Sequence, residues 1–366
     1  MTINLKRLEH LNIYPITVIC LITSLGVLML FSAANASFTP WAAKQVVRFF
    51  VGVSVMVLVS ITDTRWWYGK AYIFYFVTLA LLVGVEILGF VGMGAQRWID
   101  LYVFSLQPSE LMRVFLILAL ARYFQGCMPE DTRNLKNLLT PAALIFIPTL
   151  FVLRQPDLGT ATLLVLSGLS VCFVAGVSIW VFITLGGSVL AMIPILWPLL
   201  HPYQQKRVLT FLNPESDPLN AGYHVLQSKI ALGSGGVWGK GFLQGTQSHL
   251  NFLPEKQTDF IFTMFCEEFG MIGAIFLLIL YGILIVYNTT VALSCRSQFS
   301  RLMATGLSIT LFLYVFINVA MVMGLLPVVG IPLPLFSYGG TAMITILFSQ
   351  GLIFSVMAHN DIRSRY

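Results

Sequence analysis

Long, almost uncharged runs of apolar residues are the feature that most restricts the fold of this sequence. The runs are about 16 to 25 residues long, the length that an α-helix needs to cross a hydrocarbon layer roughly 30 Å thick. About ten of them follow one another along the chain, near 13–33, 45–61, 71–91, 108–124, 139–153, 161–177, 180–200, 259–288, 302–326 and 337–357. The sequence therefore predicts an all-α, polytopic membrane protein in which residues 1–366 form a single integral membrane domain.

Composition supports this fold class. The chain is 57% hydrophobic and 10% charged, with a mean hydropathy of +0.85, whereas soluble domains carry roughly 25% charged residues. The five cysteines are scattered singly without metal-binding spacing, so they predict neither a disulfide framework nor a zinc site. No convincing cleavage site follows the first apolar run, which predicts a retained first helix.

The distribution of Lys and Arg predicts the orientation in the membrane. The side that holds the N-terminus receives eleven of these residues in short connections: Lys6, Arg7, Arg65, Lys70, Arg122, Arg133, Lys136, Arg296, Arg301, Arg363 and Arg365. The opposite side receives four, Lys44, Arg48, Arg97 and Arg154. The positive-inside rule then places both termini in the cytoplasm, and it accounts for the net charge of +6 without a nucleic-acid partner.

The longest polar interruption, residues 201–258, falls on the outer side between the seventh and eighth spans. Loops of this length are usually functional or disordered, and the apolar residues of this one argue against disorder. Helical spacing of Val225, Leu226, Lys229 and Ile230 predicts a short amphipathic helix along the membrane surface. The glycine-rich run 233–241 that follows is weak evidence for phosphate binding.

Charged residues in or beside spanning helices are costly, so each is a candidate functional group with a structural alternative. Arg97 and Trp98 either belong to a site or anchor the chain at the membrane interface. Glu110 and Arg113 are three residues apart in the fourth span and share a helix face. We expect both to point into a polar cavity, with simple pairing as the alternative.

Two aspartates precede spans, where a carboxylate can also act as a helix N-cap. For Asp157 the cap and the chemical role have equal weight. For Asp259 we favour a chemical role, because Gln257 or Thr258 could provide the cap. At least one of Glu267 and Glu268, about two turns further along, should face the bundle interior, paired with a cation such as Arg113 or held neutral.

Ten short motifs occur in an order that resembles one known family. They are Gly94–Trp98, Gln107–Glu110, Gln155–Thr160, Asn213–Pro214, Gly222–His224, Gln227–Ser228, Gly233–Gly236, Gly239–Gly241, Thr258–Phe262 and Pro332–Gly340. From about residue 90 to the C-terminus the chain resembles the SEDS family (shape, elongation, division and sporulation proteins), which also has ten spans. Asn213–Pro218, Gly245–Ser248 and Phe252–Glu255 resemble its elongation (RodA) branch more than its division (FtsW) branch.

This resemblance implies a peptidoglycan glycosyltransferase that polymerises lipid II on the outer face of the bacterial cytoplasmic (inner) membrane, for cell elongation and rod shape. It implies a class B penicillin-binding protein as partner, together with other membrane proteins of the elongation complex. The family aspartate that matches Asp259 is regarded as essential for polymerisation. Arg113 lies where the family motif commonly has lysine. The planar guanidinium of arginine therefore replaces the compact ammonium group of lysine.

Glycosyl transfer suggests roles for these residues. Asp259 is the candidate catalytic residue, either as general base or as ligand of a divalent cation (Mg²⁺ or Mn²⁺), and no organic cofactor is expected. The candidates for binding the diphosphate are Arg97, Arg113, Arg154 and Lys240, and the other supporting candidates are Trp98, Glu110, Asp157 and Ser337. Whether Asp157 or Glu110 assists Asp259 stays open, as do two rival functions: a lipid II flippase and a non-catalytic scaffold for the penicillin-binding protein.

Overall fold

The computed structural model describes residues 13–88, 90–92, 95–100, 105–128, 130, 132, 134, 136–199, 205, 208–211, 213, 221–249 and 255–364. The helices of these residues are α1 (Ile13–Ala33), α2 (Ala42–Ile61), α3 (Thr64–Leu88), α4 (Pro108–Gln125), α5 (Leu139–Arg154), α6 (Leu158–Val174), α7 (Ile179–Leu196), a 3₁₀ turn (Trp197–Leu199), α8 (Ala221–Ser234), α9 (Thr246–His249), α10 (Ile261–Ser294), α11 (Gln298–Val322) and α12 (Gly340–Ser364). Leaving out α8 and α9, the α-helices of the described part coincide with the ten apolar runs. The predicted polytopic helical fold is confirmed.

Length and composition separate the spanning helices into groups. Six of those in the described residues are long and apolar enough to cross a membrane: α1, α2, α3, α10, α11 and α12. Helices α5, α6 and α7 are shorter and equally apolar. Helix α4 differs because it carries Glu110, Arg113 and Arg122.

Helix α4 lies at the centre of the bundle, in contact with α3, α5, α6, α11 and α12. A helix surrounded by other helices buries all its faces, which explains why α4 has no polar side. Even Glu110 and Arg113 are almost completely buried. The central helix therefore brings two charges into the core.

A small antiparallel sheet between α3 and α4 was missing from the all-α prediction. Its strands are β1 (Phe90–Gly92), β2 (Ala95–Asp100) and β3 (Ser105–Leu106), in the order β1-β2-β3. Strand β2 pairs Trp98 with Phe90 and Ile99 with Leu106. The strands pair backbone N–H and C=O groups of the α3–α4 connection that no spanning helix can pair. The sheet also holds Arg97 and Trp98 in place.

The predicted helix of the long loop is present as α8. Val225, Ser228 and Ala231 are buried in the protein, whereas Leu226 and Ile230 are exposed. The Ser228 hydroxyl donates to the carbonyl of Val322 (2.8 Å) and lies 2.8 Å from the Thr263 hydroxyl. Residues 214–220 and 250–254 of this loop, including Phe252–Pro254 of the proposed elongation motif, lie outside the described residues.

The glycine-rich run after α8 is inserted into a break in α10. At Gly270 the backbone leaves the helical conformation with φ +66°. Four backbone hydrogen bonds replace those lost there: Met271 N to Gly236 O (3.0 Å), Ile272 N to Val237 O (3.2 Å), Lys240 N to Glu267 O (3.0 Å) and Gly241 N to Glu268 O (3.0 Å). A broken helix in a membrane needs such partners, so the run has a structural role that does not involve phosphate.

Candidate active site

The candidate site lies at the end of the bundle where α2, α4, α6, α10 and α12 begin. The chain between α11 and α12, residues 323–339, packs there against the other connections; we call it the α11–α12 segment. Tyr338 N donates to Gln257 O (2.9 Å), and Gln45 Nε2 donates to Ser337 O (2.8 Å). A Cβ on Gly159 would lie 2.5 Å from Val329 O, so only glycine allows this approach of α6.

Asp259 lies half-buried at the entrance of α10. Phe260, not Asp259, occupies the N-cap position of that helix, and the Phe260 side chain forms no cap hydrogen bond. The buried amide of Asn318 donates to the backbone carbonyls of Asp259 (3.1 Å) and Ile331 (2.7 Å). Gly330 has φ +74°, and a Cβ there would lie 3.4 Å from Asp259 Oδ2. The carboxylate therefore lies beside a bend of the α11–α12 segment.

Asp157 combines both roles considered for it. Its Oδ1 accepts from Thr160 N (3.1 Å), which makes it the N-cap of α6. Its Oδ2 lies 3.6 Å from Arg97 Nη1 and 3.5 Å from Gln107 Nε2. Arg97 also donates to the carbonyls of Gln155 (3.2 Å) and Pro156 (2.6 Å). The Arg97 charge is thus engaged in holding the α5–α6 connection.

Glu110 and Arg113 meet inside the bundle. Their side chains form an ion pair, the guanidinium carbon lies 4.4 Å from the centre of the Tyr314 ring, and Tyr314 OH donates to Glu110 Oε2 (2.8 Å). The three side chains line a cavity of about 20 Å³, enough for roughly one water molecule. Thr310, Thr345, Ser349 and Gln350 complete its polar lining. The structure therefore combines the pairing with the polar cavity.

Glu267 and Glu268 are both completely buried, but neither pairs with Arg113. Glu267 Oε1 lies 2.7 Å from Lys240 Nζ and accepts from Gln247 N (3.0 Å). Glu268 accepts from the Ser32 hydroxyl (2.5 Å) and from Leu243 N (3.2 Å). The suggested partner Arg113 was wrong, because Glu110 on its own helix already neutralises it. Lys240 is therefore already paired with Glu267.

The remaining candidates have simpler environments. Arg154 ends α5 with an exposed side chain and forms no ion pair with any described residue. Ser337 is buried, and its hydroxyl accepts from Leu333 N (2.7 Å), which shapes the α11–α12 segment. Trp98 is half-buried on β2. Arg154 thus lies at the end of α5, Ser337 in the α11–α12 segment and Trp98 in the small sheet.

The arrangement of the acidic and His or Cys side chains bears on metal binding. Within the described ranges, no group of three or more His, Cys, Asp or Glu side chains is arranged to hold a metal ion. Mg²⁺ in phosphate-transferring sites is often held by one or two carboxylates together with substrate phosphates. Asp259 can supply one such carboxylate, so it fits a cation that binds with its substrate.

Comparison with known proteins identifies the family. The model of the FtsW/RodA/SpoVE family, described as "cell cycle protein", matches residues 12–362. The chain belongs to this family. It is 46% identical over 326 residues to the peptidoglycan glycosyltransferase MrdB of Escherichia coli, covering 88% of this chain and 87% of that protein. It is 33% identical over 362 residues to MrdB of Helicobacter pylori, covering 98% and 93%.

Solved structures of similar proteins have the same fold. A chain from a study of how a peptidoglycan synthase complex coordinates polymerisation and crosslinking has a TM-score of 0.83 at 31% identity, covering 97% of this chain and 98% of that one. The rod shape determining protein RodA of Thermus thermophilus has a TM-score of 0.72 at 28% identity, with 97% of both chains covered. The resemblance to the SEDS family is thereby confirmed.

Several residues of this SEDS protein's site were not among the sequence candidates. Tyr314 and Asn318 are polar side chains within an apolar run. Polar groups inside a membrane are costly, so their presence in this run could have marked them as candidates. Arg48 and Gln45 lie in the first turns of α2 and contact the start of α12 and the α11–α12 segment. Lys256 is buried three residues before Asp259, and this burial lowers the pKa of its ammonium group.

Proposed function

We propose that this SEDS protein is a peptidoglycan glycosyltransferase that polymerises lipid II for cell elongation and rod shape, with Asp259 as its catalytic residue. The observation that carries the assignment of Asp259 is its position. The carboxylate is half-buried, lies beside a bend of the α11–α12 segment, and precedes the helix cap instead of forming it. Its helix spans the membrane, so the carboxylate stands where a lipid-anchored sugar would leave the bilayer.

The chemistry follows from this position. Lipid II needs its polyprenyl chain in the bilayer and its disaccharide in water, and a site at one end of a helical bundle meets both needs. During chain growth an acceptor hydroxyl attacks the anomeric carbon of the donor, its proton leaves, and the bond to the diphosphate breaks. Asp259 accepts the proton in the general-base role. A divalent cation bound there would supply charge neutralisation of the diphosphate.

The other residues of the site support Asp259 instead of reacting. Asn318 holds the Asp259 backbone against Ile331, which fixes the position of the carboxylate. Arg97 and Asp157 hold the α5–α6 connection, from which Gly159 contacts Val329. Because general-base catalysis depends on geometry within hydrogen-bond reach, both sets of contacts contribute to the rate.

The cellular context is part of the proposal. The protein lies in the cytoplasmic membrane with both termini inside and the candidate site outside, as the Lys and Arg asymmetry suggests. A class B penicillin-binding protein crosslinks its product, in keeping with the synthase complex to which the similar solved chain belongs. Other membrane proteins of the elongation complex are further partners.

Reconstitution tests the activity against its rivals. The purified protein, alone and with its penicillin-binding partner, is placed in liposomes with lipid II, and the glycan products are separated by electrophoresis. Polymer in either sample supports the glycosyltransferase. Transbilayer movement of lipid II without polymer would favour the flippase. The absence of both activities, with the partner present and folded, would favour the scaffold.

A further inference from the structure

Arg48 is a cation at the candidate-site end that has no carboxylate partner among the described residues. Arg97, Arg113 and Lys240 each pair with an acidic side chain. Arg48 instead lies with its guanidinium carbon 4.5 Å from the centre of the Tyr338 ring. Its Nη1 atom is buried and donates a hydrogen bond to no described residue. The contact with Tyr338 therefore holds the Arg48 charge in place, but no described carboxylate neutralises it.

A second positive element lies against this guanidinium. Helix α12 begins at Gly340, and a Cβ on that glycine would lie 3.3 Å from both Cζ and Nε of Arg48. The N-terminus of a 25-residue helix carries a partial positive charge and free N–H groups. Two positive elements this close repel each other unless an anion beside them neutralises their charge.

Thr341 provides an independent sign of a ligand. This residue of the first turn of α12 is only 4% exposed, yet its hydroxyl has no hydrogen-bond partner within the described structure. A buried hydroxyl without a partner is costly, because it has lost its bonds to water. The same small region thus contains an unneutralised guanidinium, free helix N–H groups and an unsatisfied hydroxyl.

We propose that Arg48, Thr341 and the N-terminus of α12 form a binding site for the phosphate-ester anion of a membrane lipid. Phosphoryl oxygens match the planar fork of arginine and the N–H groups of a helix start. Gly340 has no side chain, so the Arg48 guanidinium packs directly against the start of α12. Identifying this anion with the diphosphate of lipid II rests on the proposed function.

The site is connected to Asp259 through Tyr338. The ring of Tyr338 supports Arg48, and its backbone N–H donates to Gln257 O (2.9 Å), two residues before Asp259. The Tyr338 contacts thus link the position of Arg48 to the chain segment that carries Asp259. None of the cations first considered for the diphosphate has this combination of contacts.

Binding of undecaprenyl diphosphate tests the site without requiring catalysis. The protein is placed in nanodiscs of zwitterionic lipid, and the affinity is measured for the wild type, Arg48→Gln and Lys44→Gln. Lys44 is the matched control, an exposed cation one turn earlier on the same helix. Loss of charged hydrogen bonds predicts about 10- to 100-fold weaker binding for Arg48→Gln, and little change for Lys44→Gln.

A parallel binding measurement with phosphatidylglycerol distinguishes the substrate diphosphate from a phospholipid headgroup as the ligand. Arg48-dependent binding of undecaprenyl diphosphate supports the substrate as ligand. Arg48-dependent binding of phosphatidylglycerol alone supports the site with a phospholipid headgroup as its ligand. If neither lipid loses affinity in Arg48→Gln, the proposal is overturned.

Thr341→Val provides a second test of the site in case Arg48→Gln does not fold. Removal of a costly unpartnered hydroxyl should keep or raise the melting temperature of the ligand-free protein and still weaken binding several-fold, about the value of one lost hydrogen bond. If Thr341→Val binds the diphosphate as tightly as the wild type, the hydroxyl does not belong to the site. If Arg48→Gln also fails to fold, that result overturns the proposal. Wild-type protein that binds the diphosphate through Arg48 but forms no glycan would contradict the proposed function and leave the site intact.

Discussion

At the scale of single residues, the Glu110–Arg113 pair shows how charge is kept inside a membrane bundle. Each partner is almost fully buried, and Tyr314 completes the group by donating to the carboxylate and covering the guanidinium. Breaking a buried pair leaves a charge without compensation, whereas replacing both partners by apolar residues is often nearly neutral. This difference separates a structural role from a functional one.

Replacement of Arg113 alone and together with Glu110 exploits that difference. We expect Arg113→Met to lower the free energy of unfolding by about 3–5 kcal/mol, and Glu110→Leu/Arg113→Met to recover most of the loss. Glycan synthesis should stay impaired in the double variant. Thermal unfolding in detergent and a lipid II assay measure the two effects, with Leu150→Ala on the exposed face of α5 as control. Recovery of synthesis along with stability would show that the pair is only structural.

Asn318 allows a test of how Asp259 is positioned. In Asn318→Ala the buried carbonyls of Asp259 and Ile331 lose their shared donor, at a cost of about 1–3 kcal/mol. We also expect a lower kcat with little change in KM, because the carboxylate shifts while the lipid contacts remain. Phe316→Ala, on the exposed face of the same helix, is the control. A wild-type kcat in a folded Asn318→Ala protein would exclude the positioning role.

At the scale of elements, the junction between α10 and the glycine-rich run is the most specific feature of the fold. A Cβ on Gly235 would lie 2.1 Å from Cys266 O, and one on Gly239 would lie 2.1 Å from Glu268 O. Lys240 and Glu267 close the junction with an ion pair. The junction therefore depends on glycine at positions where two backbones touch.

Two alanine substitutions in the run should differ sharply. Gly239→Ala introduces a backbone clash at φ +81°, so we expect a loss of at least about 1–3 kcal/mol in stability. Gly233→Ala lies within α8, where a Cβ meets nothing within 4 Å, and should be neutral or slightly stabilising. Melting temperatures of the two purified variants provide the comparison. Equal melting temperatures would contradict the described junction.

The sequence predicted the spanning helices well because the membrane imposes their length and composition. Contacts between distant segments could not be predicted in this way. The pairing of Lys240 with Glu267 depends on the inserted run, and the Arg48 environment depends on α2 meeting α12. Asp259 became a candidate because it precedes a span and lies in a family motif, whereas its neighbours Gly330 and Asn318 required the fold. The small sheet was overlooked because six residues of β2 are too few to form a clear pattern.

At the scale of the whole molecule, orientation decides whether the site can reach lipid II outside the cell. The connections divide between two ends of the bundle: Gln45 contacts Ser337 at one end, and Ser355 contacts Thr62 at the other. The structure contains no membrane, so the orientation follows from the positive-inside rule. Labelling of introduced cysteines can test it.

We expect Ser216→Cys to react with an impermeant thiol reagent in intact spheroplasts, in a background without the five native cysteines. Position 216 lies outside the described residues, within the loop assigned to the outer side. Asn134→Cys, in the exposed connection between α4 and α5, should react only after permeabilisation. The reverse pattern would invert the orientation and move Asp259 to the cytoplasmic side.

Polymerisation of lipid II by Asp259→Asn is the most direct test of the central claim. Asparagine keeps the size of the side chain but removes the basic oxygen, so the variant should fold, insert and bind its partner normally. Loss of a general base lowers the rate by about 100- to 10,000-fold, and we expect almost no glycan. Asp63→Asn, in the connection between α2 and α3 at the opposite end, should polymerise like the wild type. Wild-type polymerisation by Asp259→Asn would refute the assignment of Asp259 as the catalytic residue.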